Sequence, residues 1–251
     1  FCYLKDTNAG KFTAGALENE AGVVAAELYR QIACSAFTVW GAEKKFGGRD
    51  ADFAGITLLS GERDLRLSGK IDRIDRGGDY VRVVDYKTGS LIEADADSYY
   101  TGRRLQLQLY MSAVSAYAKP AGAYYFPARI SFARQGEDYP FRMQGFSLAD
   151  EEAVKMSDVA LEKGGKSRFV NATLGRNSDK QMNGDDFEAF IDYSRLAALG
   201  CAREIEKGCI APSPYGGVCE YCPYGGVCGA DAKKARKESA VKCAEIAKIV
   251  K

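Results

Sequence analysis

The residues best placed to do chemistry stand in two short runs. Asp72 lies in Gly69-Lys70-Ile71-Asp72-Arg73-Ile74-Asp75, and Asp85 and Lys87 lie in Val83-Val84-Asp85-Tyr86-Lys87-Thr88-Gly89. Two carboxylates that converge form a hard oxygen site suited to Mg²⁺ or Mn²⁺. A lysine beside them supplies a cation that can orient an attacking water or offset charge developing on a phosphate. The sequence contains no histidine, which excludes a Ser-His-Asp triad, a Cys-His pair, a His-ligated zinc and a His general base. The bland alternative is a solvated hairpin whose charges decorate its outer face. The apolar Val81, Val83 and Val84 leading into Asp85, with a Gly-x-Ile-Asp strand just upstream, argue against it.

These residues need a hairpin to bring them together. Leu65 to Arg76 and Tyr80 to Tyr86 read as strands, joined through Arg76-Gly77-Gly78-Asp79, where glycine permits positive φ. Residues two apart on a strand share a face, so Asp85 and Lys87 point the same way, and pairing across the turn brings Asp72 alongside. Around the hairpin the pattern predicts a helix over 13–37, strands over 38–46 and 56–59, a helix over 105–117 and a strand over 123–132. Ser147 with Asp150 caps a helix reaching about Leu161. Residues 168–184 read as a polar surface loop, 185–207 as a long amphipathic helix and 230–251 as a basic terminal helix. Strands and helices mix without strict alternation, which points to an α/β core around a central sheet.

With 251 residues, 46% hydrophobic, the chain can bury a substantial core. A net charge of +1 gives no bulk attraction for nucleic acid, so DNA would have to meet a local basic face. No apolar run approaches a membrane span, and Phe1 to Thr13 contains no apolar signal region. A start at Phe1 reads as a piece of something longer. Eight cysteines are present, and Cys219, Cys222 and Cys228 crowd together near the end. Such clustering favours metal ligation in a reducing cytoplasm over a disulfide framework. Neither a repeat nor a Walker A sequence occurs, so this stretch is not itself an ATP-driven motor.

The two runs together resemble the PD-(D/E)XK nuclease superfamily, in particular its RecB/AddB branch, where a Gly-x-Ile-Asp strand and an Asp-Tyr-Lys-[Ser/Thr]-Gly strand build the metal site. The resemblance continues into Gln106 and Tyr110, which match that branch's Gln-x-x-x-Tyr signature and share one helix face. It also takes in Glu43, in Ala42-Glu43-Lys44-Lys45-Phe46-Gly47, similar to a Glu-x-x-Phe-Gly strand preceding the metal strand. The resemblance implies Asp72, Asp85, Lys87, Gln106 and Tyr110 as catalytic residues, with Asp72, Asp85, Glu43 and the Tyr86 carbonyl around Mg²⁺ or Mn²⁺. Branch members carry a further metal-site histidine upstream, which this sequence lacks. Cys219-x-x-Cys222-x₅-Cys228 resembles the segment that holds a 4Fe-4S cluster in AddB-type nucleases, with a fourth cysteine from far upstream. Cys2 and Cys34 are the upstream cysteines here and neither has the branch's Cys-Pro-Phe context, so the cluster is expected to be incomplete in this chain and complete in a full-length parent.

The expected fold is therefore α/β, a restriction-endonuclease-like mixed β-sheet flanked by helices, with a C-terminal cysteine-rich segment. The nuclease core is assigned to residues 1–208, the cysteine-rich segment to 209–229 and a basic helix to 230–251. The resemblance implies a metal-dependent DNA exonuclease module of a cytoplasmic helicase–nuclease. It would act on single-stranded DNA at double-strand ends for recombinational repair, beside an AddA-type helicase–nuclease subunit. CRISPR spacer-acquisition nucleases share the active site and a terminal cysteine trio, but their chains are usually shorter between the two. A catalytically silent DNA-end clamp would be signalled by loss of Asp72, Asp85 or Lys87, and all three are present. A zinc-stabilised interaction domain would leave the carboxylate–lysine hairpin unexplained.

Overall fold

A computed structural model describes residues 7–60, 63–89, 95–130, 139–215, 217–230, 239 and 242–251. Its frame is a six-stranded mixed sheet in the order β1-β4-β5-β6-β7-β8. The strands are β1 (Thr38–Phe46), β4 (Gly69–Gly77), β5 (Tyr80–Lys87), β6 (Lys119–Pro127), β7 (Gln144–Leu148) and β8 (Gln181–Met182), while β2 (Ile56–Ser60) and β3 (Arg63–Leu67) pair separately. Pairing is antiparallel for β1–β4, β4–β5 and β6–β7, and parallel for β5–β6 and β7–β8. The restriction-endonuclease-like mixed sheet expected from the sequence is the one observed.

The β4–β5 hairpin closes through Gly78-Asp79, with Gly77 opposite Tyr80 and Gly78 at φ 53°. That left-handed conformation costs glycine nothing and most other residues something. From there the chain cannot reach a parallel neighbour directly. It crosses over through α2 (Ala96–Tyr100) and α3 (Gln106–Val114) before returning as β6. Leu107, Met111 and Val114 of α3 are fully buried against the sheet, each contributing about 2 kcal/mol by leaving water. The same core takes in Phe187 and Phe190 of α5 (Gly184–Glu206) and Ile246 and Ala247 of α7 (Cys243–Val250). On the opposite face Val84, Tyr124, Phe126 and Met143 are covered by Val24 and Leu28 of α1 (Asn8–Ala33) and by Val154 of α4 (Glu151–Ser157).

Several expectations change. The strand read as 65–76 is two, since the chain bends at Ser68 between β3 and β4. Ser147 does not cap a helix but belongs to β7, hydrogen-bonded to Tyr124. Asp150 is the cap, accepting from the backbone of Glu152 and Ala153. The strand expected at 123–132 starts earlier, at Lys119, and the described part ends at Pro127, with 131–132 outside the described residues. The stretch 168–184 is not a surface loop, because Phe169, Val170, Ala172 and Leu174 are buried and Gln181–Met182 adds a strand to the sheet. Its apolar residues are too irregularly spaced to betray either period. Of the terminal helix, residues 231–238, 240 and 241 lie outside the described residues, and the helix seen is α7, whose Cys243, Ile246 and Ala247 join the main core.

Candidate active site

Strands β1, β4 and β5 set the site by their register. The β4–β5 pairing runs from Gly77↔Tyr80 to Arg73↔Val84, so the next step along the hairpin puts Asp72 level with Asp85. Asp72 Oδ2 accepts from the backbone N–H of Tyr86 at 3.0 Å, which fastens the end of the hairpin. Ile71 and Ile74 both join the main core although three positions apart.

Asp85 is only 2% exposed. Lys87 Nζ lies 2.5 Å from the buried Asp85 Oδ2 as an ion pair. Burial pushes the Asp85 carboxyl above the ordinary carboxylate range. The Lys87 ammonium opposes the rise and the Asp72 charge adds to it. Lys87 Nζ donates to Gln106 Oε1 at 3.0 Å, and Gln106 Nε2 donates to the Tyr110 hydroxyl at 2.9 Å. The first turn and a half of α3 therefore anchors the lysine from the far side. Asp72, Asp85, Lys87, Gln106 and Tyr110 are all brought together.

Glu43 is treated differently. Paired positions Ala42↔Arg73 and Lys44↔Ile71 flank it, so it falls level with Asp72 on the edge strand β1. Its backbone is left-handed, at φ 55°, and its carboxylate pairs with Lys70 while remaining exposed. Such a kink re-aims a side chain. Among the described residues no three His, Cys, Asp or Glu side chains converge as a metal-holding group. The carboxylate site is thus a pair, with Glu43 level but turned aside.

The pair fits a divalent cation because the two carboxylates are close enough for the Asp72 charge to raise the Asp85 pKa, and together they offer hard oxygen donors beside a single lysine. The cysteine segment does not fit a cluster in the same way. Cys219 lies in a 3₁₀ turn (Val218–Tyr221), Cys228 ends the short α6 (Gly225–Cys228), and Cys222 and Cys228 are exposed. Cys34 is half-buried after α1, Cys201 and Cys209 are exposed, and Cys2 lies outside the described residues.

Two neighbours of the site escaped the sequence reading. Tyr125 faces Asp85 across the parallel β5–β6 pair and is buried, and Lys87 Nζ lies 5.1 Å from its ring centre. Arg104, just before α3, lies 5.9 Å from the same ring. Tyr125 could be found only by knowing the parallel register. Arg104 carried a local signal, since it stands two residues before Gln106.

A mixed sheet whose central hairpin ends in two carboxylates and a lysine is the fold and site of restriction-endonuclease-like nucleases. The chain belongs to the PD-(D/E)XK nuclease superfamily, which it matches over residues 6–229. It is similar to the B subunit of the ATP-dependent helicase/deoxyribonuclease of Desulforudis audaxviator, 31% identical over 82% of this chain and 20% of that protein. The proteins of the same name from Carboxydothermus hydrogenoformans (30% identical, 74% of this chain and 20% of that protein) and Geobacillus thermodenitrificans (29%, 87% and 22%) are also similar. The chain spans about a fifth of the length of these curated relatives. No described helix is long and apolar enough to cross a membrane.

Proposed function

We propose that this domain hydrolyses DNA phosphodiesters with Mg²⁺ or Mn²⁺, as an exonuclease module of a helicase–nuclease that trims single strands at double-strand ends. The observation that carries the reading is the Asp72–Asp85 pair beside a lysine that meets Asp85 and is fixed by Gln106. Asp72 and Asp85 would hold the cation, with the Tyr86 carbonyl and a re-aimed Glu43 as further ligands. A cation bound there supplies Lewis-acid charge to the phosphate. Lys87 orients the attacking water and offsets charge on the phosphate, and Gln106 and Tyr110 keep its ammonium aimed. The name of the relatives, helicase/deoxyribonuclease, supports DNA as substrate and a motor that feeds it. An AddA-type helicase–nuclease subunit is the partner this reading implies.

The test is cleavage of a labelled single-stranded oligonucleotide by the purified chain with Mg²⁺, with Mn²⁺ and with EDTA, alongside calorimetric titration of Mn²⁺. Metal-dependent cleavage together with Mn²⁺ binding, both lost in Asp85→Ala, is expected. Cleavage that persists in EDTA or in that variant overturns the assignment. Mn²⁺ binding without cleavage, even with the helicase partner added, favours the silent end clamp.

A further inference from the structure

Arg103 and Arg104 are adjacent in the chain but differ in their surroundings. Arg103 is exposed and donates to Asp97 at 2.6 Å, so its charge is answered locally. Arg104 is half-buried, and among the described residues it pairs with no carboxylate. Its guanidinium lies over the Tyr125 ring, which the Lys87 ammonium also approaches. Burial raises the pKa of the Tyr125 hydroxyl, the charge of Arg104 opposes that rise, and the charges of Asp85 and Tyr110 add to it. Arg104 therefore projects its charge onto the same small volume as the carboxylate pair and the Gln106–Tyr110 arm. Helix α3 starts beside it with neither a capping side chain nor an acid in its first turn, so the positive end of the helix reinforces the field there.

A half-buried guanidinium without an acid to answer it is costly to hold in place. The planar fork of arginine matches the oxygens of a phosphate, and its side-chain hydrogen bond to Tyr125, with the ring 5.9 Å away, holds it in place. We propose that Arg104 is a substrate-binding residue that grips the phosphate backbone of a single DNA strand beside the reacting phosphate. Tyr125 is the plate that holds Arg104 and Lys87 in a fixed relation. This rests on the reading that the site cleaves DNA, and it adds a specific anion contact to it.

The experiment is fluorescence anisotropy of a dye-labelled oligothymidylate with the chain in EDTA, repeated across a salt series. Arg104→Ala is expected to weaken binding about tenfold at low salt. The slope of log affinity against log salt should shrink by about 0.7, the value for one phosphate contact on a single strand. Arg104→Gln, closer in shape, should show the same loss, and Arg104→Lys should keep the slope while losing part of the affinity. Arg103→Ala removes the same charge one residue away and should leave both quantities unchanged. The proposal is overturned if Arg104→Ala and Arg104→Gln bind like the wild type, if Arg103→Ala weakens binding equally, or if the wild type does not bind. If Arg104→Ala binds weakly but the wild type does not cleave with Mg²⁺, the hydrolysis reading fails and the phosphate contact stands. If the wild type cleaves and Arg104→Ala binds normally, only the phosphate contact fails.

Discussion

The β4–β5 hairpin carries two ionic clusters, one of two arginines around an aspartate and one of two aspartates beside a lysine, and they have opposite characters. In one, Arg73 donates twice to Asp75, at 2.6 and 2.7 Å, and Arg82 donates to the same carboxylate at 2.8 Å. All three side chains are at most 3% exposed. Burial alone would raise the Asp75 pKa, but the charges of Arg82 and Arg73 outweigh it and hold the group below the carboxylate range. In the other cluster Lys87 pairs with Asp85, Asp72 accepts only from the Tyr86 N–H, and the Asp85 pKa is raised. The matched cluster, in which both Asp75 oxygens are answered, locks the hairpin, although Arg82 Nη1 and Nη2 stay buried without hydrogen-bond partners. The mismatched one holds more carboxylates than cations, the balance that the proposed cation site requires.

Breaking the mismatched cluster should cost activity and leave the fold standing. Asp85→Ala should lower cleavage by about 10⁴-fold, because it removes one of the two carboxylates proposed to hold the cation. Its far-ultraviolet circular dichroism should stay that of the wild type, and Mn²⁺ calorimetry should show the ligand lost. Breaking the matched cluster should do the reverse. Asp75→Ala strands two buried guanidinium groups and should cost about 3–5 kcal/mol in urea unfolding. Because the folded-state pKa of Asp75 lies below the ordinary 3.8, its stabilisation is present above that pH and lost as pH falls through the folded value. The acid limb of the wild-type stability profile should therefore flatten in Asp75→Asn. An unchanged limb would assign acid unfolding to other groups.

Lys87→Ala sharpens the comparison further. Turnover should fall about a hundredfold while Mn²⁺ affinity stays close to that of the wild type, since the lysine acts on the reacting phosphate. Lost metal binding with normal saturated turnover would make the lysine structural.

The candidate cluster was legible in the sequence as a spatial group because it is local. Asp72, Asp85 and Lys87 sit on one hairpin whose turn residues and apolar valines announce it, and Gln106 and Tyr110 are one helical turn apart. The matched cluster was not legible, although Arg73 and Asp75 lie in the same motif. Pairing them with Arg82 needed the hairpin register, and knowing that all three are buried needed α1 on that face. Tyr125 needed the parallel β5–β6 register, which a crossover hides. The stretch 168–184 failed for a different reason. Its composition is polar, yet Phe169, Val170 and Leu174 are buried one by one, without the period that marks an element.

Glu43 lies between the two clusters in character and gives the smallest expected effect. It stands level with Asp72, yet its side chain turns away to Lys70 on a left-handed backbone that costs a residue with a Cβ about 1 kcal/mol or more. If that strain serves nothing, Glu43→Gly should simply relieve it, raising stability by about 1 kcal/mol with Mn²⁺ affinity and cleavage untouched. If Glu43 swings from Lys70 to the carboxylate pair when the cation binds, the same variant should gain that stability in EDTA and lose several-fold in Mn²⁺ affinity. Glu43→Ala keeps the strain and removes only the carboxylate, so it should show the affinity loss without the gain. We expect the second pattern, because the kink stands level with Asp72, a proposed cation ligand, and only an exposed ion pair with Lys70 holds the side chain aside. Paired thermal unfolding and calorimetry on the two variants separate the cases, and equal Mn²⁺ affinity in wild type and both variants would remove Glu43 from the metal site.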